Sequence, residues 1–180
     1  MRNGVALALT AGTFAALALA RTWSGAKPAP GAPVVPAAAP GPTTKPRRSW
    51  TTPKSGAKYA TLFETVERKY GFPAGLISRL AWQESRYNPE ARSPVGASGM
   101  FQFMPATARE LNVDPLDPEA AAWAAAEYLA RLYRRFGDWV QALAAYNWGQ
   151  GNVSKGLTNA PAETRRYVVA ILTDIGLLEP

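Results

Sequence analysis

Residues 81–108 read AWQESRYNPEARSPVGASGMFQFMPATA, and the pattern changes twice within them. The first part closes a helix. Pro73 suits the first position of that helix, which is expected to run to about Tyr87, where Asn88-Pro89 stops it. Glu84 then sits in the last turn, beside the bulky ring of Trp82. A carboxylate there faces the negative end of the helix dipole, which favours its protonated form, and partial burial among apolar neighbours pushes the same way. A glutamate kept protonated near neutral pH is what a general acid for glycoside cleavage needs. Taken alone, Glu84 reads more simply as a solvated residue at a helix end, paired with Arg86.

The second part, residues 92–104, is rich in small and turn-forming residues, with a short strand expected at residues 100–104. An extended backbone there sends Met100, Gln102 and Met104 to one side and Phe101 and Phe103 to the other. Two Phe in the core would leave an amide and thioethers facing a cleft, groups suited to a sugar's hydroxyls and apolar face. A core Met/Phe cluster with Gln102 exposed fits the same pattern equally well. Further on, Ala145-Tyr146-Asn147-Trp148-Gly149-Gln150-Gly151 sets aromatic, amide and glycine side by side at a helix end. Aromatic rings stack on pyranose faces and glycines let a polymer approach the backbone, although a glycine-rich turn with core aromatics has the same composition.

The surrounding chain reads as helical from residue 57 onward. Tyr59, Leu62, Phe63, Val66 and Tyr70 share one face, closed by Gly71. Pro105 opens a short helix to about Leu111. Asp117 and Pro118 form an N-cap and first position for a long helix with Trp123, Ala126, Leu129, Leu132, Tyr133 and Phe136 inward, and Gly137 ends it. Another helix covers about residues 138–146. After a glycine-rich turn at residues 147–156, a last helix runs from Pro161 to about Ile175, capped by Gly176. The expected fold is mainly α, with at most a minimal β segment.

The N-terminal third is different in kind. Residues 4–20 carry no charge and follow one early Arg, and Ala18-Leu19-Ala20 precedes Arg21, so residues 1–23 read as a signal peptide or a retained membrane anchor. Residues 24–56 form a Pro/Ala-rich linker that cannot pack a core and favours polyproline II. At ~3.1 Å per residue such a spacer reaches roughly 100 Å. Residues 57–180 form the folded domain. The net charge of +7 is confined to the first part: residues 1–56 hold seven basic residues and no acid, whereas residues 57–180 hold 13 of each. A nucleic-acid-binding domain carries its charge on the fold, so nucleic acid is not an expected partner. The chain contains no Cys and no His, which removes thiol nucleophiles, Ser-His-Asp triads and nearly every zinc site. No metal or cofactor is expected.

The blocks Glu84-Ser85 with Asn88-Pro89-x-Ala91, Ser93-Pro94-x-Gly96-Ala97-x-Gly99, Gln102-Phe103-Met104-Pro105-x-Thr107-Ala108, Ala145-Tyr146-Asn147 and Glu163-Thr164-x-x-Tyr167-Val168 together resemble the soluble lytic transglycosylase domain, over roughly residues 57–178. The resemblance implies a lysozyme-like fold and cleavage of the β-1,4 bond between N-acetylmuramic acid and N-acetylglucosamine in peptidoglycan. Glu84 would protonate the leaving oxygen, the substrate's 2-acetamido group would stabilise the cationic C1, and Glu84 as carboxylate would take the C6 hydroxyl proton to close a 1,6-anhydro ring. That route explains the absence of a well-placed second carboxylate, which ordinary glycosidases need. By the same carry-over, Ser85 orients the acetamido group or Glu84. Gln102, Met104, Tyr146 and Asn147 line the sugar subsites, with Tyr146 close to Glu84, while Ser93 and Gly99 shape the cleft wall. Tyr167 belongs to the substrate site, and Glu163 has a structural role under the cleft. The chain departs from the family pattern at Met100-Phe101, where Leu-Met is usual, and at Trp148 and Gln150, where Trp148 adds a stacking platform or narrows a subsite.

These readings imply an exported protein of the periplasm or cell envelope, a monomer, with peptidoglycan strands as its partner and anchoring through residues 4–20 if that segment is retained. Two alternatives share the observations. A goose-type lysozyme would hydrolyse the same bond with the same lone Glu, and a non-catalytic wall-binding module of a secretion, conjugation or phage assembly would only hold the polymer.

Overall fold

The computed structural model describes residues 50–179; the expected signal or anchor segment and most of the expected linker lie outside the described residues. Within them the chain forms a 3-10 helix Lys54–Tyr59 and seven α-helices: α1 Ala60–Tyr70, α2 Leu76–Ser85, α3 Pro105–Leu111, α4 Pro118–Phe136, α5 Trp139–Trp148, α6 Gln150–Val153 and α7 Ala162–Asp174. Among the described residues the only β pairing is two isolated bridges, Arg92 with Ser98 and Ser98 with Phe103. No helix among them is long and apolar enough to cross a membrane. The mainly helical, minimally β architecture expected from the sequence is the one observed.

The helix order follows from caps and stripes. The side chain of Asp117 accepts the backbone N–H groups of Glu119 and Ala120 at 2.9 and 3.1 Å, with Pro118 next to it, so α4 starts where two orphan donors are satisfied. Asp138 does the same for α5 through Gln141 N at 2.8 Å. On α4 the buried face is largely Ala121, Ala122, Ala125, Ala126 and Ala130, with Leu129 and Leu132. Such small side chains let neighbouring helices approach closely. Helix α5 packs between α4 and α7, α1 lies on α4, and α2 bridges α1 and α7. At the centre Phe63 of α1 meets Phe101 edge-on at 6.3 Å and the Tyr87 ring at 6.0 Å. Fully burying each such side chain contributes about 1.5–3 kcal/mol. This cluster fixes the segment after α2 to the rest of the molecule.

Five sequence expectations change. Pro73 does not open α2: Pro73, Ala74 and Gly75 form a turn, and the helix begins at Leu76. Its start is set by Glu67 of α1, whose buried carboxylate accepts Gly75 N and Ile77 N at 2.8 Å and Ser78 N at 3.3 Å. Burial pushes the Glu67 carboxyl above its ordinary range although these three bonds oppose that shift. Helix α2 also ends before the Asn88-Pro89 stop, at Ser85, because Arg86 and Tyr87 both turn into the left-handed region, φ 58° and 65°.

Residues 100–104 are not a strand with alternating faces. Met100, Phe101 and Phe103 are all buried, and Gln102 has φ 50°. Side chains hold the segment as a turn instead. Ser85 Oγ donates to Met100 O at 2.8 Å, Tyr146 OH to Phe101 O at 3.0 Å, and the Gln102 amide nitrogen to Gly99 O at 2.8 Å. These bonds, with Gln102 N on Gly99 O at 3.2 Å, fix the turn that Gln102 makes.

Residues 147–156 are not a plain glycine-rich turn. Helix α5 continues through Trp148, Gly149 breaks it, and α6 follows at once, tied down by Arg135, which donates to Gln150 Oε1 at 2.7 Å and Ser154 Oγ at 3.0 Å. Finally, residues 50–56, grouped with the linker on composition, pack against α2. Trp50 Nε1 donates to Ser78 Oγ at 3.0 Å, and Gly56 is buried against Tyr87.

Candidate active site

Helix α2 delivers Glu84 one residue before its end. The two left-handed residues that follow return Arg86 N to Trp82 O at 3.0 Å and Tyr87 N to Ala81 O at 3.4 Å, which closes the helix below Glu84. Each non-glycine residue held there costs about 1 kcal/mol, offset by seating the Tyr87 ring in the core. Ser85 then acts as a pin: it donates to Met100 O and accepts Asn88 N at 3.1 Å. Its hydroxyl hydrogen is thereby committed to the backbone of the facing loop, which holds that loop at a set distance from Glu84.

Helix α7 supplies the partner. Tyr167 OH donates to Glu84 Oε1 at 2.5 Å. The Glu-Thr-x-x-Tyr spacing places Thr164 and Tyr167 on one face of α7, and both are buried. Thr164 Oγ1 donates to Asn147 Oδ1 at 2.8 Å, so α7 reaches both the end of α5 and the end of α2. Glu163 is exposed in the first turn of α7, not beneath the cleft as expected from its motif. Its place in that turn points it to solvent, and its charge still reaches Glu84.

Electrostatics make Glu84 an acid near neutrality. Burial raises its pKa from 4.5 to about 7; the Tyr167 hydrogen bond opposes this and the Glu163 charge adds to it. Burial likewise lifts Tyr146 and Tyr167 well above the ordinary phenol range, and the Glu84 charge lifts both further. Both phenols therefore stay protonated and serve as donors, Tyr167 to Glu84 and Tyr146 to Phe101 O.

The facing loop turns on Gly99, φ 79°. A Cβ at this position would lie 1.7 Å from Pro115 O, so only glycine fits. Gly99 N donates to Ala91 O at 2.8 Å. Ser93 Oγ accepts Ala97 N at 2.9 Å and so closes the turn before it. The Gln102 amide nitrogen is shared between Gly99 O and Ala91 O, 3.3 Å away, and spends its donors on the loop. Met104 is 39% exposed at the head of α3. Trp148 packs its ring partly on the core while its carbonyl accepts Asn152 Nδ2 at 2.7 Å. The structure thus brings Glu84, Ser85 and Tyr167 together directly. Tyr146 joins them through Phe101 and through its electrostatic coupling to Glu84, whereas Ser93, Gly99 and Gln102 build the loop.

Several residues of this arrangement were not singled out from the sequence. Thr164 positions Asn147; the spacing to Tyr167 was the available signal. Arg79, buried on α2, donates to Asp174 Oδ2 of α7 at 2.6 Å and to Gln83 Oε1 at 2.8 Å. This pair ties the helix of Glu84 to the helix of Tyr167. Only long-range contact reveals it, since 95 residues separate the two partners.

Residues 61–169 match the family described as Transglycosylase SLT domain. Among curated proteins, the chain is 39% identical over 104 residues to membrane-bound lytic murein transglycosylase F 2 of Alkalilimnicola ehrlichii, covering 53% of this chain and 23% of that protein. It is 40% identical over 134 residues to peptidoglycan transglycosylase gp16 of Escherichia phage T7, covering 65% of this chain and 10% of that one. Among solved structures, the 70 kDa soluble lytic transglycosylase of Escherichia coli aligns with a TM-score of 0.59 at 33% identity, over 66% of this chain and 24% of that chain. The matched stretch is under a quarter of the length of each of these three proteins.

Proposed function

Because the chain belongs to the Transglycosylase SLT domain family, we propose that it is a peptidoglycan lytic transglycosylase in which Glu84 is the single catalytic residue, acting first as acid and then as base. The observation that carries this reading is the pairing of a Glu84 carboxyl raised to about 7 with a short hydrogen bond from Tyr167. At neutral pH about half of the molecules then hold Glu84 protonated, matched to its task.

In the first step neutral Glu84 gives its proton to the glycosidic oxygen between N-acetylmuramic acid and N-acetylglucosamine. The C1–O bond breaks, and the substrate's own acetamido oxygen stabilises C1. Glu84 is now a carboxylate, and the Tyr167 hydroxyl stabilises that state. In the second step the carboxylate takes the proton of the C6 hydroxyl, whose oxygen bonds to C1 and displaces the acetamido oxygen. A 1,6-anhydro end results and Glu84 is again protonated.

The remaining residues serve the polymer. Ser85 holds the loop opposite Glu84. Gln102, Met104, Tyr146, Asn147 and Trp148 line the sugar subsites, with the exposed thioether of Met104 suited to an apolar sugar face. Ser93 and Gly99 shape the wall, and Tyr167 contacts both Glu84 and the reacting sugar. The chain works as a monomer in the cell envelope, exported or anchored by residues 1–23. That location accords with the relative named membrane-bound and with the long spacer.

The test is lysis of purified peptidoglycan sacculi by the full chain and by Glu84→Gln. Loss of turbidity with the first and none with the second is expected. Lysis by the variant would remove Glu84 from its role, and wild-type binding without release of any fragment would favour a wall-binding module instead.

A further inference from the structure

Outside the cleft, the outer side of α2 carries a dense polar and aromatic arrangement that the reaction does not use. Ser78 Oγ is its centre. It accepts from Trp50 Nε1 at 3.0 Å, pairs with Thr52 Oγ1 at 2.7 Å and lies 3.1 Å from Tyr87 OH. Trp50 and Thr52 precede the first helical turn, in the stretch whose composition reads as linker. The Trp50 ring also lies 6.3 Å from Trp82, one turn of α2 beyond Ser78. Arg79 stacks its guanidinium over Trp50 at 5.0 Å, and Gly75 backs onto the Trp50 Cβ. Gly56 leaves room for the Tyr87 ring: a Cβ there would stand 2.6 Å from Tyr87 Cε2 and 2.8 Å from Thr52 Cγ2.

We infer that residues 50–56 are a positioning strap for the catalytic carboxylate, and so belong to the working enzyme and not to a spacer. The strap grips α2 at both ends, near its start at Gly75 and Ser78 and beyond its end at Tyr87, and Glu84 lies between these grips. It also covers the Arg79 guanidinium that pairs with Asp174. Shielding from water strengthens such a pair, and this pair joins α2 to α7. The distance from Glu84 to Tyr167 therefore depends on a segment that touches neither residue. The inference rests on the assignment of Glu84 as the acid.

Tyr167 of α7 faces Glu84, the charge of solvent-exposed Glu163 reaches it, and Tyr146 of α5 is coupled to it. Loosening α2 moves Glu84 relative to all three and admits water beside it. A misplacement of about 1 Å costs on the order of a hundredfold in rate, so the partial loosening caused by Trp50→Ala in the full chain is expected to lower kcat about tenfold at unchanged KM. The alkaline limb of the kcat profile should move down by about one pH unit as Glu84 regains solvation. Trp50→Phe, which keeps ring cover over Arg79 but loses the bond to Ser78, should recover part of kcat. Leu132→Ala, a core truncation on α4, serves as a control that lowers the denaturation midpoint while leaving kcat at its wild-type value.

If Trp50→Ala lowers the midpoint but keeps wild-type kcat and pH limb, the strap is merely structural and the inference fails. Should Trp50→Ala not fold, Thr52→Val decides: a several-fold fall in kcat supports the strap and an unchanged kcat overturns it. Full lysis by Glu84→Gln would instead refute the assignment of Glu84, so the two failures are distinguishable.

Discussion

Replacing Glu84 with Gln should abolish lysis and, at alkaline pH, make the protein more stable. The Glu84 carboxyl is raised from 4.5 to about 7 in the fold. Between those values the native state binds more protons than the unfolded state, so stability falls as pH rises through the window and the full cost is present above about pH 7. At ~1.36 kcal/mol per unit, the shift corresponds to at most about 3 kcal/mol. Glu84 is only half-buried, and solvent screening brings the expected figure nearer to about 2 kcal/mol. Gln carries no charge at any pH, and its carbonyl still accepts the Tyr167 hydroxyl. The stability of Glu84→Gln minus that of the wild type should therefore grow by about 2 kcal/mol between about pH 4 and about pH 8. Urea denaturation of both proteins, followed by tryptophan fluorescence at a series of pH values, measures this difference while the other titrating groups cancel. A flat difference would mean that Glu84 is not raised. A difference that shrinks with pH would mean that the fold prefers the carboxylate, and either result refutes the acid role at neutral pH.

Other outcomes follow from single contacts. Tyr167→Phe removes the one interaction that lowers the Glu84 pKa, so the alkaline limb of the rate profile should move up while kcat falls about tenfold, since the second step loses its stabilised carboxylate. Gly99→Ala puts a methyl group 1.7 Å from Pro115 O at a positive φ. A loss of more than about 3 kcal/mol is expected by denaturation, with a wild-type midpoint as the contrary result. Glu67→Ala leaves the first N–H groups of α2 without their buried acceptor and should cost about 3 kcal/mol, read as a lower urea midpoint; a change of only a few tenths of that would show that water replaces the cap.

How far the sequence foretold these features depends on the range over which each is determined. The cap of α4 is local, Asp117 and its next three residues, and was legible as such; the Asp138 cap of α5 is equally local but was not singled out. Glu84 in a last helical turn was legible too. The start of α2 was not, because its cap is a carboxylate from the preceding helix and Pro73 offered a plausible but unused start. The turn at residues 100–104 escaped detection for a similar reason. Its pattern of Met, Phe and Gln allows a strand, and the turn is held by Ser85 and Tyr146, distant in sequence, which bond the carbonyls of Met100 and Phe101. Glu163 shares a motif with Tyr167, and motif spacing alone does not say that one faces solvent while the other faces Glu84. The Tyr167–Glu84 and Arg79–Asp174 contacts span 83 and 95 residues and emerge only once α2 and α7 are packed together. Trp50 and Thr52 were concealed by their neighbours: Pro and basic residues around them read as spacer, and the hydroxyl of Ser78 gives them a partner.

The central claim, one carboxylate acting twice on the same sugar, is tested most directly by the product. Sacculi digested by the full chain in heavy-oxygen water should release muropeptides with 1,6-anhydro ends, one water lighter than hydrolysed ones and free of solvent oxygen at C1 by mass spectrometry. Reducing ends that carry the heavy oxygen would contradict the account, because water and not the C6 hydroxyl would then have attacked C1.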